Sequence, residues 1–154
     1  MARELAPVHI VAVASPKYLE GRLLPRQPAD FAELAGIMRR STPSGRVRPW
    51  TLRQRRGVDQ PVPCRPRLIL SDPEAIAQAA RLGLGVALVP MPFAFTHIAS
   101  GELVRLLPGW YSDAGPLSIY YPSRRLLPAK TSVFVDYVME RFREGEFARL
   151  VDGR

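Results

Sequence analysis

Residues 8–15, VHIVAVAS, are apolar almost without a break and rich in β-branched side chains, which predicts a strand buried on both faces. Ser15-Pro16 ends it, because proline cannot extend a ladder and restricts the residue before it. In PADFAELAG (28–36), Pro28 suits a first helical turn. Asp30 and Glu33 favour its N-terminal end and Gly36 its close, so a short helix is predicted. Residues 37–41 predict a short strand. Residues 42–63 are rich in Pro, Gly and Arg and read as a long excursion around one brief strand or turn near Trp50-Thr51-Leu52. Next come a strand over 65–71, a helix over 72–83, a strand over 86–90 and a helix over 92–101 with Gly101 as its C-cap. Strands follow over 103–107 and 117–122. The last helix, 129–145, sets Val133, Phe134, Tyr137, Val138 and Phe142 along one side. Strands alternating with helices predict an α/β fold with a largely parallel or mixed sheet.

The stretch SDPEAIAQAARLGLGVALVPM (71–91) is the most informative. Ser71 or Asp72 is a good N-cap, Pro73 suits the first turn, and Glu74 complements the helix dipole. Gly83 predicts a left-handed C-cap, and Gly85 a sharp turn into the strand at Val86. The glycines follow a helix and precede a strand. A dinucleotide phosphate loop has the opposite order, so GLG reads as a turn. The helix N-terminus at Ser71-Asp72 follows a strand's C-terminal end, where open α/β sheets bind ligands and free N–H groups attract anions. The other reading of Asp72, as an ordinary cap, stays open beside this one.

A chain of 154 residues, 47% hydrophobic, suffices for one ordinary domain or two small lobes. Charges and prolines interrupt every apolar run, and the first residues lack the layout of a secretory signal, so the expectation is a cytoplasmic location without membrane contact. One cysteine, Cys64, excludes an intrachain disulfide and reads as a strand residue. With only His9 and His97 beside it, neither a zinc site nor any cofactor is expected. The net charge of +8 comes almost wholly from arginine. A nucleic-acid surface and an arginine-favouring genome both account for it. The run GRVRPWTLRQRR (45–56) has the composition of a nucleic-acid patch and equally that of a solvated loop. Trp50 and Trp110 could stack on a ring-bearing ligand or cover the edge of a core.

Taken in order, ASPKYL (14–19), DFAEL (30–34), SDPEAIAQAARLGLGVALVP (71–90), GELVRLLP (101–108) and YYPSRRLLPAKTSVFVDYVMERF (120–142) resemble the effector-binding domain of LysR-type transcriptional regulators. The resemblance runs over nearly the whole chain. It implies an α/β fold of the type II periplasmic-binding-protein kind, with a complete second lobe and a partial first lobe. Residues 12–113 would be the second lobe. Residues 1–11 and 114–145 would be remnants of the first, with crossover strands near VHIVAVAS and GPLSIYYP, and 146–154 a tail. The family's winged helix-turn-helix, its linker helix and part of its first lobe have no counterpart in this sequence. The resemblance therefore implies a C-terminal fragment, with Met1 at the start of a truncated gene or at an expression boundary.

By the same resemblance, Ser71, Asp72 and Pro73 face an effector, Ser41 and Thr42 line the cleft after the preceding strand, and Pro90 and Met91 close it. Asp72 would oppose an anion unless capping engages its charge. The function implied is a non-enzymatic effector-sensing and oligomerisation domain of a DNA-binding regulator. Its partners would be a small effector, with carboxylates as candidates, a second copy of the chain meeting it through the C-terminal helix and open strand edges, and DNA only through the absent N-terminal domain. The alternative is a stand-alone carboxylate-binding protein of the periplasmic type, for which a full cleft and a signal sequence would be needed. An enzyme is the weakest reading, because Ser15, Cys64, His9 and His97 assemble into no nucleophile–base set.

Overall fold

The computed structural model describes residues 2–121, 128–145 and 147–154. Strands β1 (Ala2–Ala14), β2 (Ala35–Arg39), β5 (Arg65–Leu70), β6 (Val86–Pro90) and β7 (Val104–Leu106) lie in the order β5-β2-β6-β1-β7, and β8 (Ser112–Tyr120) pairs with the first half of β1. β2 runs parallel to β5 and β6, whereas β1 is antiparallel to β6, β7 and β8. Strands β3 (Thr51–Leu52) and β4 (Gln60–Pro61) form a separate two-stranded pair.

Alternation along the strands divides the core into two layers. Val11, Val13, Ile37, Ala87 and Val89 face helix α2 (Pro73–Arg81) and helix α3 (Met91–Ala99), meeting Ile76, Ala80 and Ala94. Ala12, Ala14, Met38 and Val86 face the other way, onto Tyr18 of helix α1 (Pro16–Leu19), Phe31, Trp50 and Leu52. The Val, Ile, Leu, Phe and Met side chains buried this fully contribute about 1.5–3 kcal/mol each. Ser15 ends β1 and caps α1 at once, accepting from the Tyr18 N–H at 3.2 Å.

The 71–91 unit forms as the sequence predicts. Asp72 accepts the Ala75 N–H at 2.8 Å, α2 ends into Gly83 at φ 79°, and β6 follows as a strand parallel to β2. A Cβ on Gly85 would run into the Ala35 carbonyl oxygen, so this turn is pressed against β2. Gly101, also at φ 79°, closes α3.

Elsewhere the chain departs from expectation. Pro28–Glu33 is a 3-10 turn rather than an α-helix, with Asp30 folded back onto the Arg26 and Gln27 N–H groups at 2.8 and 3.1 Å. Gly36 is no cap: it lies within β2, where a side chain would collide with Cys64 and Trp50. Cys64 is not in a strand but in the connection before β5. It is half-buried, with Sγ 3.3 Å from Met38 Sδ, and burial raises its thiol pKa, which keeps it protonated. β1 begins well before residue 8 and β8 before residue 117 because the two pair with each other. Pro122, expected to end that strand, and residues 123–127 of the closing segment lie outside the described residues.

Helix α4 (Ala129–Arg143) buries Val135, while Val133, Phe134 and Tyr137 are 69, 59 and 56% exposed. Of the apolar side legible in the sequence, these three residues thus face outward, while Val138 and Phe142 are half-buried and Phe142 packs on Phe147.

Candidate functional site

The carboxyl ends of β2 and β6 and the N-terminus of α2 converge where β1 meets β8. They enclose a cavity of about 160 Å³. Arg39 ends β2, Leu88 and Pro90 belong to β6, and Pro73 and Ile76 are on the first turns of α2. Ile10 of β1 and Ser112 and Asp113 of β8 close the opposite side, and Arg48, Pro49, Trp50 and Thr51 form the rim. This is the position at which open α/β sheets take ligands. A larger concavity of about 500 Å³ lies over the exposed β1/β8 ribbon and is lined by Glu4, Pro7, Gly115 and Pro116 without a basic side chain.

The enclosed cavity is electropositive. Its one carboxylate, Asp113, is ion-paired with Arg53. Arg39 Nε is buried and meets no hydrogen-bond partner among the described residues. A turn brings Arg48 beside it. The Ser41 N–H donates to the Arg46 carbonyl at 2.8 Å, Gly45 takes φ 65°, and the Arg48 N–H then donates to the Arg39 carbonyl at 2.8 Å. Arg39, Arg48 and Trp50 therefore line one small cavity, a set of residue types suited to a planar anion.

Of the residues expected from the sequence, Pro73 and Pro90 line the cavity. Ser71 and Asp72 are exposed at the same end of α2, and the Asp72 carboxylate is engaged in capping. Ser41 and Thr42 head the turn that returns Arg48 and do not line the cavity. Met91 points into the core layer beneath α3. Trp50 is 6% exposed and packs in the core, and it also lines the cavity. Trp110 packs against the same layer. In the run 45–56, Arg46, Arg48, Arg55 and Arg56 are exposed, whereas Arg53 pairs with Asp113.

The family model of the LysR substrate binding domain matches residues 1–143. The chain belongs to this family. Among curated relatives, the HTH-type transcriptional regulator PtxR of Pseudomonas aeruginosa is 35% identical over 148 residues, which is 95% of this chain and 46% of PtxR. The HTH-type transcriptional activator AaeR of Escherichia coli is 27% identical over 99% of this chain and 49% of its own length. The chain thus spans about half the length of the curated relatives it matches. Among solved structures, the regulatory domain of AphB from Vibrio vulnificus superposes with a TM-score of 0.75 at 28% identity, over 91% of this chain and 68% of that one. The regulatory domain of CrgA, a LysR-type transcriptional regulator from Neisseria meningitidis, gives 0.71 at 25% identity, over 92% and 68%. The fold is the mixed α/β, periplasmic-binding-protein-like fold of LysR regulatory domains.

In this LysR domain the cavity-lining residues that sequence reasoning missed include Arg39, Arg48, Ile10, Ser112 and Asp113. Arg39 left a trace in the sequence. Period-two alternation sets it on the face of Ile37, which is a core position, so a charged residue there called for a polar partner or a ligand. Arg48 left none, because only the 41–46 turn carries it back to β2.

Proposed function

We propose that this LysR domain senses a small, single-ring anion, a carboxylate by preference, in the cavity between β2, β6 and α2, as part of a non-enzymatic, DNA-binding transcriptional regulator. The observation that carries the reading is the buried, unpartnered Arg39 Nε beside Arg48 at a cavity of about 160 Å³. An apolar cavity of about 150 Å³ holds one benzene ring, and a guanidinium matches a carboxylate in shape and charge. Pro73 and Pro90 give the ring its apolar walls. Ser71 and Asp72 border the opening, Ser41 and Thr42 position Arg48, and Met91 backs the end of β6.

Residues 12–113 act as the second lobe of the sensor, and 1–11 with 114–145 belong to the first. Two features support this division: apart from Val11, the buried core layers fall within the second-lobe segment, and β1 turns from exposed to buried near His9. An effector held between lobes shifts their relative angle by its differential affinity, and DNA is contacted by a helix-turn-helix outside this chain. Two copies associate through the outer side of α4 and the open edge of β8. Supporting this are the exposed Val133, Phe134 and Tyr137, together with Leu117 and Tyr120 on the ribbon. The regulator acts in the cytoplasm, where its DNA lies. Among the described residues no helix is long and apolar enough to cross a membrane.

Calorimetric titration with benzoate and with benzamide tests the effector reading. Benzoate is expected to bind at least about tenfold more tightly than the neutral amide, and Arg39→Gln to remove that preference, since a charge-assisted hydrogen bond contributes about 1.5–3 kcal/mol. Equal binding of the two probes, or full benzoate affinity in Arg39→Gln, would sink it.

A further inference from the structure

Residues 151–154 lie against the middle of β1, and the contact is built around His9. The His9 N–H donates to the Val151 carbonyl at 3.0 Å, and the Gly153 N–H donates to His9 Nδ1 at 3.0 Å. Arg105 of β7 donates to the Gly153 carbonyl oxygen. Only glycine fits at 153, because a Cβ there would stand 2.7 Å from Val11 Cγ1 and 2.9 Å from His9 Cβ. Val151 is buried, and His9 is 3% exposed with its ring against Tyr111 at 4.6 Å between centroids. The last residues are therefore held by a specific hydrogen-bond set rather than lying loose on the surface.

An amide can only donate, so the Gly153 contact requires Nδ1 to be unprotonated and puts the proton of the neutral ring on Nε2, 3.6 Å from Asp113 Oδ1. Asp152 Oδ1 lies 3.1 Å from the same Nδ1 and is held by the Arg154 backbone and guanidinium. Adding a proton at Nδ1 sets two donors head to head. The ring must then donate to Asp152 and let Gly153 go. The charged groups facing the ring come from every element around it: Asp113 from β8, Asp152 and Arg154 from the C-terminal segment, and Arg53 from the β3–β4 loop. Arg105 of β7 faces the segment itself.

We infer that residues 151–154 form a proton-controlled clasp on β1, closed while His9 is neutral and opened when His9 takes up a proton. This goes beyond the effector reading and does not rest on it, although Asp113, a wall of the cavity, faces the switching ring. Burial lowers the His9 pKa below the ordinary value of 6.5; Asp152 works against that shift, while Arg154 and Arg53 add to it. The folded chain thus takes up its proton less readily than the unfolded one. Closure is fully present above about pH 6.5 and is lost as pH falls from there through the lower folded value.

The test is an NMR titration of the full chain from about pH 8 to pH 4.5, following the ¹⁵N shift of His9 Nδ1 and the protection factor of the Gly153 amide. Both are expected to change with one midpoint below 6.5. Gly153 should lose about tenfold or more in protection, as befits one lost buried hydrogen bond, while the Val89 amide in the central sheet keeps its own. His9→Asn keeps an acceptor at the Nδ1 position but cannot titrate, and should hold Gly153 protected throughout. Three outcomes overturn the inference: constant Gly153 protection while His9 titrates, the same loss in His9→Asn, or a loss only in the acid range of Asp152, whose carboxyl Arg154 holds below the usual value. Should His9→Asn fail to fold, the two wild-type midpoints decide alone, with separate midpoints overturning it.

Discussion

Strand β1 passes through two environments. From Val11 to Ala14 every residue is fully buried, because helices α2 and α3 cover one face of the sheet and the Phe31–Trp50–Leu52 layer covers the other. From Ala2 to Val8 the same strand is paired only with β8, and its burial alternates between exposed and half-buried. Helix α4 lies on this ribbon but leaves Val133, Phe134 and Tyr137 largely in solvent. The first half has one strand partner and two register shifts, whereas the second is paired with both β6 and β7. Partners on both edges and cover on both faces together turn a ladder into a core.

Ile76 offers the largest expected effect. It is 1% exposed at the centre of the α2 layer, and Ile76→Ala should destabilise the domain by about 3 kcal/mol through lost transfer energy and a cavity. Chemical denaturation measures this directly, and a change below about 1 kcal/mol would mean that the layer repacks freely. Next is the α2 cap, where Asp72→Ala should cost about 1 kcal/mol, because the Ala75 N–H loses its partner. Affinity for a benzoate probe should persist in this variant, since its carboxylate serves the helix. Smallest in stability is Phe134→Asp, expected within about 0.5 kcal/mol of the parent as for other surface changes. Its effect should appear instead in sedimentation at micromolar concentration, as conversion of a dimer to a monomer. A loss of stability rivalling that of Ile76 would show that α4 is covered within its own chain. An unchanged dimer mass would move the interface elsewhere.

Much of the covered half was legible because its signals are local. Asp72, Pro73, Gly83 and Gly85 act within one helix and one turn, so their cap and backbone conformations follow from neighbours in the chain. The ends of β1 and β8 were not legible. Each strand extends because the other pairs with it, across a hundred residues of sequence. The 3-10 turn at Pro28–Glu33 likewise reflects Asp30 folding back on Arg26 and Gln27, a competitor to the helix that periodicity does not weigh.

The sequence alone was enough to determine the α/β class, the 71–91 unit and the LysR resemblance, all of which rest on residues close together in the chain. Tertiary structure decided the site and the clasp. Arg39 and Arg48 become neighbours only through the 41–46 turn, and Asp113 meets them only through the pairing of β8 with β1. His9 reads as an ordinary strand residue until Gly153 reaches it from the far end of the chain. Charge and hydrogen-bond complementarity depend on distance in space, and chain closure over such separations is set by the whole fold, not by any local window.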